Sequence, residues 1–126
     1  MGATGMIYHI TTKSEWQTAQ QAGSYQAPSL TDEGFIHFSQ KHQILPVANA
    51  FYRNVPDLII LCVDEDKLTS PVKYEAPVHP SNDDAGDVDE SQLFPHVYGT
   101  VNLDAVSKVV DFPAQVDGSY QLPVTL

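Results

Sequence analysis

The chain has 126 residues, 42% hydrophobic and 17% charged, an ordinary globular composition that excludes wholesale disorder and suits one domain around one core. Six Lys and Arg against sixteen Asp and Glu give a formal charge of −10. That argues against nucleic acid and anionic membrane as partners, because both are held by clustered cations. No apolar run approaches the roughly 20 residues that span a bilayer, and no charged-then-apolar N-terminal segment marks a signal peptide, so a soluble cytoplasmic protein is expected.

Residues 1–5 are small and featureless, and are expected to be a leader or a misplaced start; the domain is taken as 6–126. A first strand follows in Ile7-Tyr8-His9-Ile10-Thr11. Thr12-Lys13-Ser14-Glu15 spells a capping box, in which hydroxyl and carboxylate satisfy reciprocal backbone donors. Trp16, Ala19 and Gln20 continue at helical spacing to a stop at Gly23, a helix of about ten residues. Residues 24–33 lack periodicity and read as a loop, and 34–38 as a second strand. Ser39 is expected to cap a second helix ending near Arg53, with Ile44, Val47, Ala48, Phe51 and Tyr52 on its apolar stripe. Pro46 predicts a late start or a kink there.

The apolar run in 57–64 is too short for a buried helix and predicts a central strand. Cys62 lies inside it, alone in the chain, so no intramolecular disulfide exists and the thiol reads as buried and structural. Residues 72–75 form a short strand. The acidic stretch 77–92 reads as a solvated loop, with a lid as the alternative. Strands over 97–101, 106–112 and 120–124 complete an α+β chain with two N-terminal helices and a mixed or antiparallel sheet.

Period-two alternation then isolates the chemistry. Within their strands His9 shares a face with Thr11, His37 with Ser39, and His96 with Tyr98. Each histidine is embedded in apolar sequence, where an unpaired imidazole is costly, so mutual contact or a bound polar ligand is the economical solution. His42 on the second helix and His79 in the acidic loop read as ordinary satisfied core or surface residues. Three histidines and a water also suit zinc, yet no short-range ligand pair such as HExxH or CxxC is present. Ser39 has no Gly-x-Ser-x-Gly context for a nucleophile, and neither P-loop nor GxGxxG occurs. Glu75 is the one carboxylate on an otherwise apolar strand end, fit to stabilise positive charge or orient a hydroxyl. In Phe94-Pro95-His96-Val97-Tyr98-Gly99, the Tyr98 ring offers stacking and a donor, and Gly99 a bulge or close backbone approach.

With these motifs in view, the chain resembles the small bacterial family filed as domain of unknown function 952, from Met6 nearly to the C-terminus and including Glu75. That family is similar in fold to the ADP-ribosyltransferases, a split and strongly bent β-structure whose cleft takes NAD. The resemblance implies that His9 contacts a ribose, that the His37 and Ser39 strand lies near the nicotinamide, and that Glu75 favours an oxocarbenium-like sugar. On this reading the domain is ADP-ribosyltransferase-like and binds a small molecule: NAD as substrate, or a related nucleotide or sugar phosphate. His9 and Thr11 grip a ribose and Tyr98 stacks on a flat ring. His37 and His96 orient the ligand or move protons, as an imidazole with an ordinary pKa near 6.5 can. The alternatives are a non-catalytic small-ligand sensor that uses the same histidines and hydroxyls, and a plain interaction domain in which the histidines satisfy one another. Nothing in the residues sets the oligomeric state.

Overall fold

A computed structural model describes residues 5–53, 55–76, 93–124 and 126. Strand β1 (Met6–Thr12) runs straight into helix α1 (Lys13–Ala22). Thr12 caps α1 by accepting from the Glu15 N–H at 3.2 Å, but the reciprocal half of the expected box is absent: the Glu15 carboxylate accepts from Thr11 instead. Gly23 closes the helix in the left-handed region, φ +92°, where its N–H reaches Ala19.

The expected loop over 24–33 instead contains strand β2 (Ser24–Tyr25) and helix α2 (Pro28–Glu33). Helix α2 buries no residue, so it leaves no apolar stripe in the sequence; Pro28 opens it and Gly34 ends it. Strand β3 is only Ile36–His37. Ser39 caps nothing, because its backbone pairs in both directions with Tyr8, at 2.9 and 2.7 Å. The cap passes to Gln40, boxed with Gln43, ahead of a 3₁₀ turn (Lys41–Gln43) that carries His42. Helix α3 (Ile44–Phe51) then starts late, with Pro46 in its first turn where the missing N–H is harmless. Its buried stripe narrows to Ile44 and Ala48, since Phe51 is 66% exposed. There are thus three α-helices among the described residues, not two.

Strands β4 (Leu58–Asp64), β5 (Val72–Glu75), β6 (Phe94–Val97), β7 (Val101–Asn102) and β8 (Val106–Asp111) follow. The strand expected over 120–124 is absent. Tyr120 is held to the α3 end by side-chain bonds, its N–H to Asn49 and its hydroxyl to the Tyr52 and Val55 carbonyls, so no ladder is needed. The acidic stretch 77–92, with His79, lies outside the described residues.

Every strand pairing among the described residues is antiparallel, in sheets ordered β1-β4-β8, β2-β7 and β3-β6-β5. The Tyr8–Ser39 bridge ties the first to the third. The one mixed or antiparallel sheet expected from the sequence is therefore corrected to three separate antiparallel sheets among the described residues. Strand β4 is central and buries both faces, Ile59, Leu61 and Val63 in one core and Leu58, Ile60 and Cys62 in a second. The first core also takes Ile36, Phe38 and Val97 from the β3-β6-β5 sheet, leaving that sheet's other face to the histidines. No helix among the described residues is long and apolar enough to cross a membrane.

Candidate functional site

A cleft of about 580 Å³ runs along the open edge of β1, and His9, Thr11, His37, Ser39 and His96 all line it. Side chains from three separate strand regions therefore meet at one hollow. Glu75 and Tyr98 are not on its wall; both join it through His96.

The β3-β6-β5 register explains the cluster. His37 lies directly opposite His96, Lys73 opposite His96 on the other side, and Glu75 opposite Phe94, so period two puts His37, His96, Glu75 and Tyr98 on one face. Glu75 Oε1 accepts from His96 Nδ1 at 2.7 Å and from the Tyr98 hydroxyl at 2.6 Å. Those two donors, Tyr98 first, hold the Glu75 carboxyl below its ordinary range. Burial pushes the His96 imidazolium's pKa down, against the opposing pull of Glu75. The pair is thus a neutral imidazole donating to a carboxylate. Because Nδ1 carries the hydrogen, Nε2 is bare, and it has no protein partner among the described residues. Phe35 stacks on the His96 ring with centroids 4.1 Å apart, and the His37 ring meets it edge-on at 5.5 Å.

His9 arrives from the other sheet and is already fully engaged. Its Nδ1 donates to the His37 carbonyl at 2.6 Å, its Nε2 lies 2.7 Å from the Tyr25 hydroxyl, and its ring packs against Phe38 and Tyr25. Burial lowers its pKa to about 4. A zinc ion would have to break those bonds, and no cluster of three or more His, Cys, Asp or Glu among the described residues is arranged to hold a metal. The His37 ring is half-exposed and shares its Nε2 between the Glu33 oxygens, 3.2 Å each. Cys62 is buried in the second core, and burial raises its thiol pKa, as suits an inert side chain.

A family model described as "Protein of unknown function (DUF952)" matches residues 10–109. The chain belongs to the DUF952 family. Among curated proteins, none matches it. The crystal structure of CC0527 from Caulobacter crescentus is 28% identical, covers 93% of this chain and 94% of its own, and superposes with a TM-score of 0.77. The solution structure of the same protein gives 27%, 96% of each chain and 0.74.

In this DUF952 chain three side chains at the site escaped sequence reasoning. Phe35 was readable, since period two puts it with His37 and Ser39. Glu15 was visible only as a capping residue, yet it accepts from Thr11 at 2.5 Å and lines the cleft. Tyr25, in a two-residue strand, gave no signal. The Ile10 backbone also matters. Tyr8 turns its N–H and C=O outward to Ser39, so two residues on Ile10 does the same, toward the cleft. There it has no partner among the described residues. Glu15 and Glu33 are the charged residues on the described wall, which holds no Lys or Arg.

Proposed function

We propose that the cleft binds a small ribose-bearing molecule of the nicotinamide type, NAD included, and that Glu75 and His96 act as its proton-transfer pair. The observation that carries this is the bare Nε2 of His96 at the cleft wall, its tautomer held by Glu75 behind it. The volume lies within the roughly 300–1,000 Å³ usual for small-ligand sites. The outward N–H and C=O of Ile10 complement a carboxamide. Thr11, His37 and Ser39 supply hydroxyl and imidazole partners for a ribose, and the acidic wall suits a cationic pyridinium better than a diphosphate.

This reading retains the ADP-ribosyltransferase likeness. In such a transfer the bond from ribose C1′ to the nicotinamide nitrogen breaks with its electron pair leaving on nicotinamide. An acceptor oxygen bonds to C1′ and releases its proton to His96 Nε2. Glu75 then stabilises the imidazolium through Nδ1, so it works through His96 and not against the sugar directly. His9, with both nitrogens taken, is a positioning residue that fixes the β3 backbone. Tyr98 holds Glu75 in place and does not stack on the ligand.

Thermal shifts with nicotinamide, nicotinamide riboside, NAD and ADP-ribose test the reading. A ligand at a hundred times its dissociation constant adds about 2.7 kcal/mol of stability. Chromatography of NAD incubations should show nicotinamide release. Glu75→Gln should leave binding within a few-fold and cut release by about 10³–10⁴, because the amide favours the wrong His96 tautomer. A melting point that none of the four moves ends the proposal. A shift without release makes the same cleft a non-catalytic sensor.

A further inference from the structure

Ser39 stands where two sheets part. Its N–H and C=O pair with Tyr8 of β1, while the neighbouring Phe38 N–H goes to the Pro95 carbonyl of β6 at 3.0 Å. The cleft opens from this fork, between the free edge of β1 at Ile10 and the histidine face of the β3-β6-β5 sheet. Ser39 is 6% exposed, and its hydroxyl bonds to nothing among the described residues. No side-chain N or O among those residues is both sealed and unpartnered, so the hydroxyl opens onto the hollow it borders. The same holds for Nε2 of His96, a residue 2% exposed. Strand register relates the two groups. The Phe38–Pro95 bond extends the pairing of His37 with His96, so Ser39 comes opposite Phe94, as Glu75 does from the other side. Ser39 and Glu75 therefore flank β6 at one level, each diagonal to His96 and on its face. Diagonal neighbours lie about 7–8 Å apart, a gap that an imidazole and a hydroxyl span between them. The two groups are not bonded as they stand, and side-chain rotation closes them, as in many nucleophile–base pairs when substrate seats.

We infer that Ser39 is a nucleophile activated by His96 and Glu75, and that the cleft hydrolyses small uncharged or cationic carboxylic esters. Ser39 Oγ attacks the ester carbonyl carbon and passes its proton to His96 Nε2. Glu75, 2.7 Å from Nδ1, steadies the imidazolium. The carbonyl π electrons move onto oxygen, which faces the outward N–H of Ile10 on the opposite wall. That oxyanion collapses, the alcohol leaves with the proton from His96, and Ser39 is left acylated. Water then attacks in the same way, releasing the acid and restoring the hydroxyl. All six Lys and Arg of the chain lie off the described wall, which carries Glu15 and Glu33, so an anionic ester is disfavoured. The activity shares the His96–Glu75 pair with the transfer proposed above but requires neither ribose nor nicotinamide.

Two measurements on the full chain test it. A fluorophosphonate probe, followed by digestion and mass spectrometry, should label Ser39 and no other serine. Glu75→Gln should slow that labelling about a hundredfold, because the amide favours the wrong His96 tautomer. The chain should also hydrolyse p-nitrophenyl acetate, and Ser39→Ala should cut the rate about tenfold or more. The hemisuccinate, an anionic ester of the same phenol, should turn over about tenfold more slowly than the acetate. Labelling that is absent, falls on another serine, or is unchanged in Glu75→Gln overturns the inference. Acetate hydrolysis untouched by Ser39→Ala, or matched by the hemisuccinate, overturns it too. Thermal shifts with nicotinamide or NAD beside an unlabelled Ser39 overturn this inference and leave the transfer reading intact. Labelling at Ser39 without any such shift supports this inference and ends the other.

Discussion

His9 shows how burial fixes a protonation state. Desolvation is the largest influence on it, and the His37 imidazole adds to that, while the bond to the His37 carbonyl and the charge of Glu15 pull the other way without winning. Its folded pKa of about 4 lies below the ordinary 6.5. The unfolded chain therefore takes up the proton first as pH falls. Stability from His9 is complete above about pH 6.5 and drains away as pH drops through about 4, a total of about 3 kcal/mol on linkage arithmetic. Urea unfolding at pH 7.5 and 4.5 measures it. His9→Gln should lose most of that difference while keeping an amide for the His37 carbonyl. Identical pH slopes in wild type and variant would show that the imidazole is not paying the burial cost assigned to it.

At the scale of the element, the turn after β6 is set by a close approach. A Cβ on Gly99 would stand 2.8 Å from Ser70 Cβ and nearer still to Ser70 Oγ, which donates to the Thr100 carbonyl at 2.7 Å. Gly99→Ala should therefore cost about 1–3 kcal/mol, the usual toll of overpacking. Gly99 also holds φ +156°, where any side chain strains the backbone, so Ser70→Gly in the same chain should recover only the part of the cost due to the contact, and a double-mutant cycle in urea would show that coupling. Additive effects would mean the contact does not restrict the turn. The same element shows what was legible beforehand. Alternation paired His37 with Ser39 and His96 with Tyr98 because parity is a property of an extended chain, whatever it pairs with; that Glu75 and both histidines share one face comes from the β3-β6-β5 register, which parity within a strand does not carry. Gly99 was readable as a close approach for a similar reason. Helix α2 was not readable, since it buries nothing and so carries no stripe. Nor was β2, whose two residues are strand only because Tyr25 meets Val101, far along the chain. Ser39 carries a cap's spelling, but its backbone was claimed by Tyr8, a partner that only the tertiary fold supplies.

On the scale of the molecule, β4 divides two cores with different duties. The core containing Ile59 includes Tyr25 and Phe38, which line the cleft beside His9; the core containing Ile60 lies against α3 and the 112–120 segment and meets the cleft only through Ile10, Val47 and Tyr52. Ile59 pairs across β1 with Thr11, and Ile60 with Ile10, so neighbours in sequence press on opposite sides of one sheet. Both are essentially fully buried. Ile59→Val and Ile60→Val should thus cost alike, about 0.5–1.5 kcal/mol each in urea unfolding. Their effect on the cleft should differ. The methyl lost at Ile59 opens space beneath Thr11 and Tyr25, and the side-chain signals of those residues, with the His9 ring, should shift. Loss at Ile60 should leave them in place and disturb Phe112 and Tyr120 instead. Equal disturbance of Thr11, Tyr25 and the His9 ring by both variants would mean that the sheet transmits strain through β4, and that the two cores are mechanically one.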